Sequence, residues 1–201
     1  MKQQLHIPVM LKEAMEYLKL KPHDIVCDAT LGLGGHSERI LEKIAPSGRL
    51  VGIDRDEESL AIARDRLRQW SSICDFVHGN FADIDTIAQN LNIKKFDAIL
   101  FDLGVSTYQL DDPERGFSFK NEGPLDMRLD RSSYISAYDL LNNLTEEEIS
   151  TLLWNFGQER WHTRIAHALI QERERHPIAT TVELADIVAR SVPSRFRYKY
   201  Y

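Results

Sequence analysis

A glycine-rich turn between two apolar runs is the feature that most constrains how this chain can fold. The turn GLGGH, at residues 32–36, follows the apolar run 25–30 and leads into a predicted helix at 37–44. A second apolar run at 49–53 then ends in Asp54. This order is typical of a nucleotide-binding α/β unit, in which glycines let the backbone approach a ligand and the acid accepts hydrogen bonds from ribose hydroxyls. The pattern therefore predicts an adenosine-type ligand at the turn.

Two residues beside the turn separate the candidate ligands. The dinucleotide fingerprint requires a third glycine where this chain has Ser37, which weakens the case for NAD, whose pyrophosphate sits against the helix N-terminus. Asp28, at the end of the first predicted strand, places negative charge beside the turn, and such a charge repels phosphate and attracts an ammonium or sulfonium group. S-adenosylmethionine carries both cations and no phosphate. The sequence favours it as the cofactor, with an NAD-dependent oxidoreductase as the alternative.

Composition suits one α/β domain with room for an appendage, since the chain has 201 residues, 43% hydrophobic and 28% charged. No apolar stretch approaches the ~18 residues of a membrane span, and the N-terminus lacks the apolar segment of a signal peptide. Cys27 and Cys74 lie in strand-like runs, which indicates reduced thiols and a cytoplasmic protein. No spacing of cysteine and histidine suggests a metal site.

The formal net charge of −6 argues against nonspecific coating of nucleic acid, but it leaves room for a local basic patch. Such a patch lies at 187–201, where four basic and four aromatic residues occur without an acid: Arg190, Arg195, Arg197, Lys199, Phe196, Tyr198, Tyr200 and Tyr201. Basic and aromatic side chains together can hold an RNA backbone and stack on bases. A solvated chain end is the alternative.

The first half of the chain alternates strand and helix patterns, which predicts a parallel sheet with crossover helices. We expect strands near 25–30, 49–54, 75–78 and 97–102, and helices near 10–19, 37–44, 57–69 and 83–91. Beyond Leu103, residues 104–131 show no period and predict a long functional loop. Helices alone are predicted after it, at 136–142, 145–156, 158–175 and 180–190.

Ligands of an open α/β sheet bind beyond the carboxyl ends of its strands. Four residues are therefore expected at one crevice: Asp28, Asp54, Phe81 and Asp102. Phe81 follows the third strand and could cover an adenine ring. A purely structural role is the alternative for each residue. Acids at strand ends often cap the next helix, and Phe81 suits the hydrophobic core.

Six segments together resemble one known family: HIPVM at 6–10, GGH at 34–36, FDLGVS at 101–106, QL at 109–110, ERGFSF at 114–119 and GPLDMRLD at 123–130. They are similar to the ribosomal RNA small subunit methyltransferase H family, also called MraW. The resemblance implies transfer of a methyl group from S-adenosylmethionine to the N4 amine of a cytidine in 16S rRNA of the small ribosomal subunit. It also implies a Rossmann-like α/β methyltransferase sheet, here its first four strands, with an inserted all-helical domain.

By this resemblance the chain divides into a cofactor-binding part at 1–109 and a part at 110–201 that contains the long loop and the helical insertion. Contacts with S-adenosylmethionine are expected at Gly34, Gly35, His36, Asp54, Phe81, Asp102 and Gln109. Asp102 is the candidate acceptor of a hydrogen bond from the substrate amine, with Ser106 as the weaker second candidate.

Family members continue past the position of Tyr201 with further strands, so we expect this chain to be a shortened member. Strand four would then form an apolar sheet edge, and the chain would bind cofactor weakly, self-associate and transfer little methyl. A non-catalytic RNA- or ribosome-binding fragment is the alternative function. On the substrate side, Arg115, Arg128 and Arg131 are candidates for phosphate contacts, although Arg115 and Arg128 could instead form ion pairs with nearby aspartates.

Overall fold

The computed structural model describes residues 8–199, and the side chains of Tyr198 and Lys199 are not described. The chain divides into two compact units, one ending at Gly104 and the other beginning at Val105. The boundary expected after residue 109 falls inside the second unit. The start of the first family segment, His6 and Ile7, lies outside the described residues, as do the two tyrosines that end the basic C-terminal patch.

The first unit is built on a parallel sheet whose strands, within the described residues, follow the order β3-β2-β1-β4. These strands are β1 (Ile25–Asp28), β2 (Arg49–Asp54), β3 (Cys74–His78) and β4 (Ala98–Leu100). All four strand predictions are confirmed. The central strands are almost wholly buried because helices cover both faces of a parallel sheet, which explains their continuous apolar runs.

Alternation along the strands divides the core of the first unit into two layers. Val26 and Leu50 face the layer formed with α2 and α3, whereas Cys27 and Val51 face the layer that includes Ile87 of α4. The helices are α1 (Leu11–Leu18), α2 (Gly35–Ile44), α3 (Glu57–Arg66) and α4 (Ile84–Asn90), close to the predicted positions. The layers hold the carboxyl ends of the strands at one edge of the sheet.

Strand β4 forms one edge of this sheet, as predicted. Within residues 8–199 it pairs only with β1, in the register Cys27 to Ile99. The side chains of Ile99, Phe101 and Leu103 are exposed on or just beyond the strand. An apolar edge with unpaired backbone groups is a site where further strands or other molecules can add.

The second unit is helical. It contains α5 (Thr107–Asp111), α6 (Ala137–Asn143), α7 (Glu146–Gly157), α8 (His162–Arg173) and α9 (Thr181–Ser191). Its core includes Ile149 of α7, Ile165 and Leu169 of α8, and Ile187 of α9. The late helices are confirmed, except that α8 begins at His162 and not at 158.

The prediction of an irregular loop over 104–131 is wrong in part. Helix α5 and a 3₁₀ turn at Pro113–Arg115 lie within it. Ser106 and Gln109 form a reciprocal capping box that stabilises the start of this short helix. Further along, Leu125 is buried in the helical core and its N–H donates to the carbonyl of Ala179 at 2.9 Å. The segment is therefore anchored, although it has little periodicity.

The buried side chain of Arg115 helps to anchor the segment 104–131. The prediction that Arg115 contacts RNA is therefore wrong. It is 1% exposed, and its Nη2 donates to the carbonyls of Arg128 and Leu129 at 3.2 and 3.0 Å. Arg128 forms the alternative ion pair, with its Nε 2.7 Å from Asp126 Oδ1 and its Nη2 2.8 Å from Oδ2.

No helix in the described part of the chain is long and apolar enough to cross a membrane.

Candidate cofactor site

The turn after β1 depends on two glycines in the left-handed region. Gly32 has φ 51° and Gly34 has φ 76°, and the N–H of Gly34 donates to the carbonyl of Leu31 at 2.9 Å. Gly34 is also the N-cap of α2, and a Cβ there would press on the side chain of Leu67. Residues with a Cβ rarely adopt this conformation, so the turn requires these glycines for its shape.

Gly35 has a packing role that the sequence pattern did not predict. A Cβ at this position would overlap the ring of Pro8, so only glycine lets the segment at Pro8 lie against the start of α2. The same segment contacts His36, whose Nε2 lies 3.1 Å from the carbonyl oxygen of Val9. The proline of the segment HIPVM makes the contact with Gly35. It lies far from Gly35 along the chain, so no local sequence pattern indicates the contact.

Asp54, at the end of β2, ties the glycine turn to the sheet. Its Oδ2 accepts a hydrogen bond from the N–H of Gly32 at 2.7 Å, and its Oδ1 accepts one from the N–H of Asp56 at 2.9 Å. Burial raises the pKa of Asp54 above its ordinary value, while these backbone bonds lower it. A carboxylate has about four acceptor positions, so capacity remains for hydroxyl groups of a ligand.

Asp28 lies beneath the turn, and the expectation that it reaches the crevice is wrong. It is 1% exposed. Its Oδ2 accepts from the hydroxyl of Ser37 at 2.6 Å and its Oδ1 from the N–H of Thr30 at 3.3 Å. These donors draw the carboxyl group inward. Burial raises the pKa of Asp28 to about 6, against the hydrogen bonds from Ser37 and Thr30, which lower it.

His36 and Asp102 meet beside the turn. A carbonyl oxygen can only accept, so the contact with Val9 places the ring proton of neutral His36 on Nε2 and a lone pair on Nδ1. That Nδ1 lies 3.7 Å from Oδ2 of Asp102, whose side chain is half exposed. The backbone N–H of Asp102 donates to Oγ1 of Thr30 at 2.7 Å, which fixes the end of β4 against the turn.

Phe81 opens a 3₁₀ turn, Phe81–Asp83, after β3. It packs partly on the core, which was its alternative predicted role. Its ring contacts that of Phe101 edge to face, with centroids 5.5 Å apart. Phe101 is 48% exposed and was not among the predicted site residues. Its signal in the sequence is an aromatic residue directly before Asp102. Two aromatic rings thus lie at the sheet edge where one was predicted.

Ser106 and Gln109 belong to the second unit, where they cap α5. The hydroxyl oxygen of Ser106 accepts from the N–H of Gln109 at 3.2 Å, and Oε1 of Gln109 accepts from the N–H of Ser106 at 2.9 Å. Gln109 is buried. Their proposed roles in catalysis and cofactor binding remain predictions from the family resemblance.

The first unit is thus a Rossmann-like α/β fold of the nucleotide-binding class. Its glycine turn and the residues His36, Asp54, Phe81 and Asp102 all lie at the carboxyl ends of the strands, where such sheets bind ligands. Among residues 8–199, no group of three histidine, cysteine, aspartate or glutamate side chains is arranged to hold a metal ion.

Comparison with known proteins shows that the chain belongs to the MraW methylase family, which matches residues 3–201. It is 46% identical to ribosomal RNA small subunit methyltransferase H of Halothermothrix orenii, over 96% of this chain and 62% of the relative. The protein of the same name from Trichlorobacter lovleyi is 48% identical over 95% of this chain and 61% of the relative. The chain therefore spans about three fifths of the length of these relatives.

The raised pKa of Asp28 predicts a pH-dependent stability. Protonated Asp28 favours the folded state, so its contribution is fully present below its ordinary pKa of 3.8 and is lost as pH rises through about 6. The loss amounts to about 3 kcal/mol, at about 1.4 kcal/mol per pKa unit. We expect the free energy of unfolding of the parent chain, relative to Asp28→Asn, to fall by about this amount from about pH 4 to about pH 7.5. Urea denaturation at each pH measures it.

Asp97 provides the matched control. A backbone hydrogen bond from Ile25 is the first of the causes that lower the pKa of Asp97, so the stability relative to Asp97→Asn should instead be lost at acid pH. A difference between the parent chain and Asp28→Asn that does not change with pH would contradict the buried, shifted carboxyl group.

Proposed function

We propose that this chain supplies the S-adenosylmethionine site of an enzyme that methylates the N4 amine of a cytidine in 16S rRNA of the small ribosomal subunit. The observation that carries the proposal is the hydrogen bond from Gly32 to Asp54, which joins the glycine turn to the strand-end acid of a ribose-binding arrangement. Membership of the MraW methylase family and similarity to proteins named ribosomal RNA small subunit methyltransferase H support methyl transfer to this RNA, and the N4 amine of a cytidine follows from the family resemblance.

The electrostatics of the turn favour S-adenosylmethionine over NAD. Where a dinucleotide fold has its third glycine, Ser37 donates to the buried carboxyl group of Asp28. With a pKa of about 6, Asp28 is mainly ionised at neutral pH, so negative charge lies just beneath the start of α2. That charge opposes a pyrophosphate at the helix N-terminus and attracts a sulfonium or ammonium group.

The roles of the site residues follow from their positions. Asp54 would accept hydrogen bonds from the ribose hydroxyls, and Phe81 with Phe101 would contact the adenine ring. The backbone of 34–36 would line the methionine side of the ligand. The resemblance adds Gln109 to these contacts.

The chemistry requires placement and a proton acceptor. The amine lone pair of cytosine is delocalised into its ring, so the nitrogen must be held in line with the methyl carbon. Bound S-adenosylmethionine supplies the methyl group and leaves as the neutral thioether. Asp102 would orient the amine and take its proton as the nitrogen–carbon bond forms.

A non-catalytic RNA-binding role is the second candidate. The exposed edge of β4 favours it, because a site that is open to water positions the reacting groups less tightly for catalysis. For either role we propose a cytoplasmic location. Cys27 and Cys74 are free thiols whose pKa values are raised by burial to about 12 and about 11, which suits a reducing compartment.

Replacing Asp54 tests the cofactor site. Asp54→Ala should weaken binding of S-adenosylmethionine by about 1.5–3 kcal/mol, the range for hydrogen bonds to a charged group. Asp97→Ala is the control, because Asp97 also accepts a backbone N–H but lies at the opposite end of the sheet. Isothermal calorimetry should show loss only for Asp54→Ala. Equal affinity of both variants, or tighter binding of NAD than of S-adenosylmethionine, would refute the site.

Replacing Asp102 tests the reaction. Asp102→Asn should lower methyl transfer to small-subunit particles by about 100-fold, as expected for loss of a proton acceptor, while cofactor affinity changes less than about tenfold. Radiolabelled methyl transfer measures it, with the exposed acid Asp65 changed to Asn as control. Retained activity in Asp102→Asn would exclude this role. A parent chain that binds cofactor and RNA but transfers no methyl would establish the non-catalytic alternative.

A further inference from the structure

A cluster of arginine and aromatic side chains in the second unit is not used by the proposed reaction. Arg160 and Trp161 directly precede α8, and Arg195 and Phe196 lie in the 3₁₀ turn Ser194–Lys199. The rings of Trp161 and Phe196 are tilted against each other, with centroids 5.5 Å apart. With Arg164 and Arg197, these residues form what we call the arginine corner.

Aromatic rings, and not carboxylates, hold two of these arginines. The guanidinium carbon of Arg160 lies 5.3 Å from the ring centroid of Trp161, and that of Arg195 lies 4.8 Å from the centroid of Phe196. Both arginines are exposed. Within the part of the chain that the structure describes, neither forms an ion pair with a carboxylate. Their charges are thus held in place without being neutralised.

Arg164 and Arg197 fix the corner to the ends of α8 and α9. The Nε of Arg164 donates to the carbonyl of Ser191 at 3.1 Å, and the Nε of Arg197 donates to the carbonyl of Val192 at 3.0 Å. These acceptors are backbone groups at the C-terminal end of α9, which carries partial negative charge but no carboxylate at these two bonds. The guanidinium carbons of Arg160 and Arg195 lie 5.9 and 4.8 Å from the centroid of the same Phe196 ring, so these two charges lie close to each other.

The start of α8 carries a carboxylate of its own. The first turn contains no acid, but Oε1 of Glu159, just before the helix, accepts a hydrogen bond from the N–H of Trp161 at 2.7 Å. This carboxylate offsets the partial positive charge of the helix N-terminus, so the positive charge of the corner comes from its arginines. The corner is local, since the whole chain has a net charge of −6.

We propose that the arginine corner binds the phosphate backbone of a single-stranded RNA segment; the identification of that RNA as ribosomal rests on the proposed function. Planar guanidinium groups match phosphate in a bidentate geometry, and a base can stack on their faces. An acidic protein surface would need no such flat, aromatic-supported presentation. RNA is therefore the partner whose chemistry the corner fits.

The test is RNA binding by the double variant Arg160→Ala with Arg195→Ala in the full 201-residue chain. The probe is a fluorescein-labelled oligocytidylate RNA of about 16 nucleotides, long enough to cover a site of this kind. Fluorescence anisotropy should show about tenfold weaker binding at low salt. The slope of log affinity against log salt should fall by about 1.4, at about 0.7 per lost phosphate contact on a single strand.

Arg175→Ala is the matched control, because Arg175 is an exposed arginine of the same unit that pairs with Glu172. It should change neither the affinity nor the slope. The double lysine variant, with Arg160→Lys and Arg195→Lys, keeps the charge and should retain most of the slope, which guards against a folding defect. Equal effects of the double alanine variant and the control would overturn the proposal, as would equal competition by polyglutamate and by unlabelled RNA.

Cofactor affinity, measured separately by calorimetry, should be the same in the parent chain and in all these variants. If the double alanine variant loses RNA affinity but the parent chain does not bind S-adenosylmethionine, the RNA site stands and the proposed function is rejected. If the parent chain binds S-adenosylmethionine but the double alanine variant keeps its RNA affinity, the RNA site is rejected and the cofactor site stands.

Discussion

The hydrogen bond from the N–H of Gly32 to Asp54 is the contact on which the candidate site depends. It joins the turn that follows β1 to the end of β2, at a donor–acceptor distance of 2.7 Å. Because Gly34 continues from that turn into α2, the bond also fixes where the helix begins and where His36 lies. A charge-assisted bond of this kind is stronger than a neutral one, so one side chain sets the geometry of the whole turn.

Buried charge beneath the turn is the cost of this arrangement. Burial raises the pKa values of both Asp28 and Asp54, because a buried environment disfavours the charged form of a carboxyl group. Proteins retain such groups where their field serves a ligand, and a buried negative charge is worth most to a cationic one. Under the proposed function, negative charge at these two acids would favour the cationic S-adenosylmethionine over a ligand that carries phosphates.

Local patterns were sufficient to predict the four strands of the sheet and the residues that follow their carboxyl ends. Apolar runs marked the strands, and the position of Asp54 after β2 placed it at the carboxyl edge. Contacts between distant residues were not predictable in this way. Gly35 is glycine because Pro8 lies against it, and nothing near Gly35 in the sequence indicates that. The sequence predicted a surface position for Arg115. In the structure its side chain is buried and donates hydrogen bonds to the carbonyl groups of 128–129. The capping box at Ser106 was missed because a single helical turn has no period to detect.

The most direct measurement is a titration of the ¹⁵N-labelled chain with S-adenosylmethionine, followed by amide chemical shifts. If the turn held by Asp54 is the cofactor site, the amides of Gly32, Gly34 and Gly35 should shift together with that of Asp54 and saturate at one dissociation constant. Amides at the far end of the sheet, such as Ile25, should move little. Shifts confined to the far end, or a turn whose amides do not respond at saturating ligand, would contradict the account.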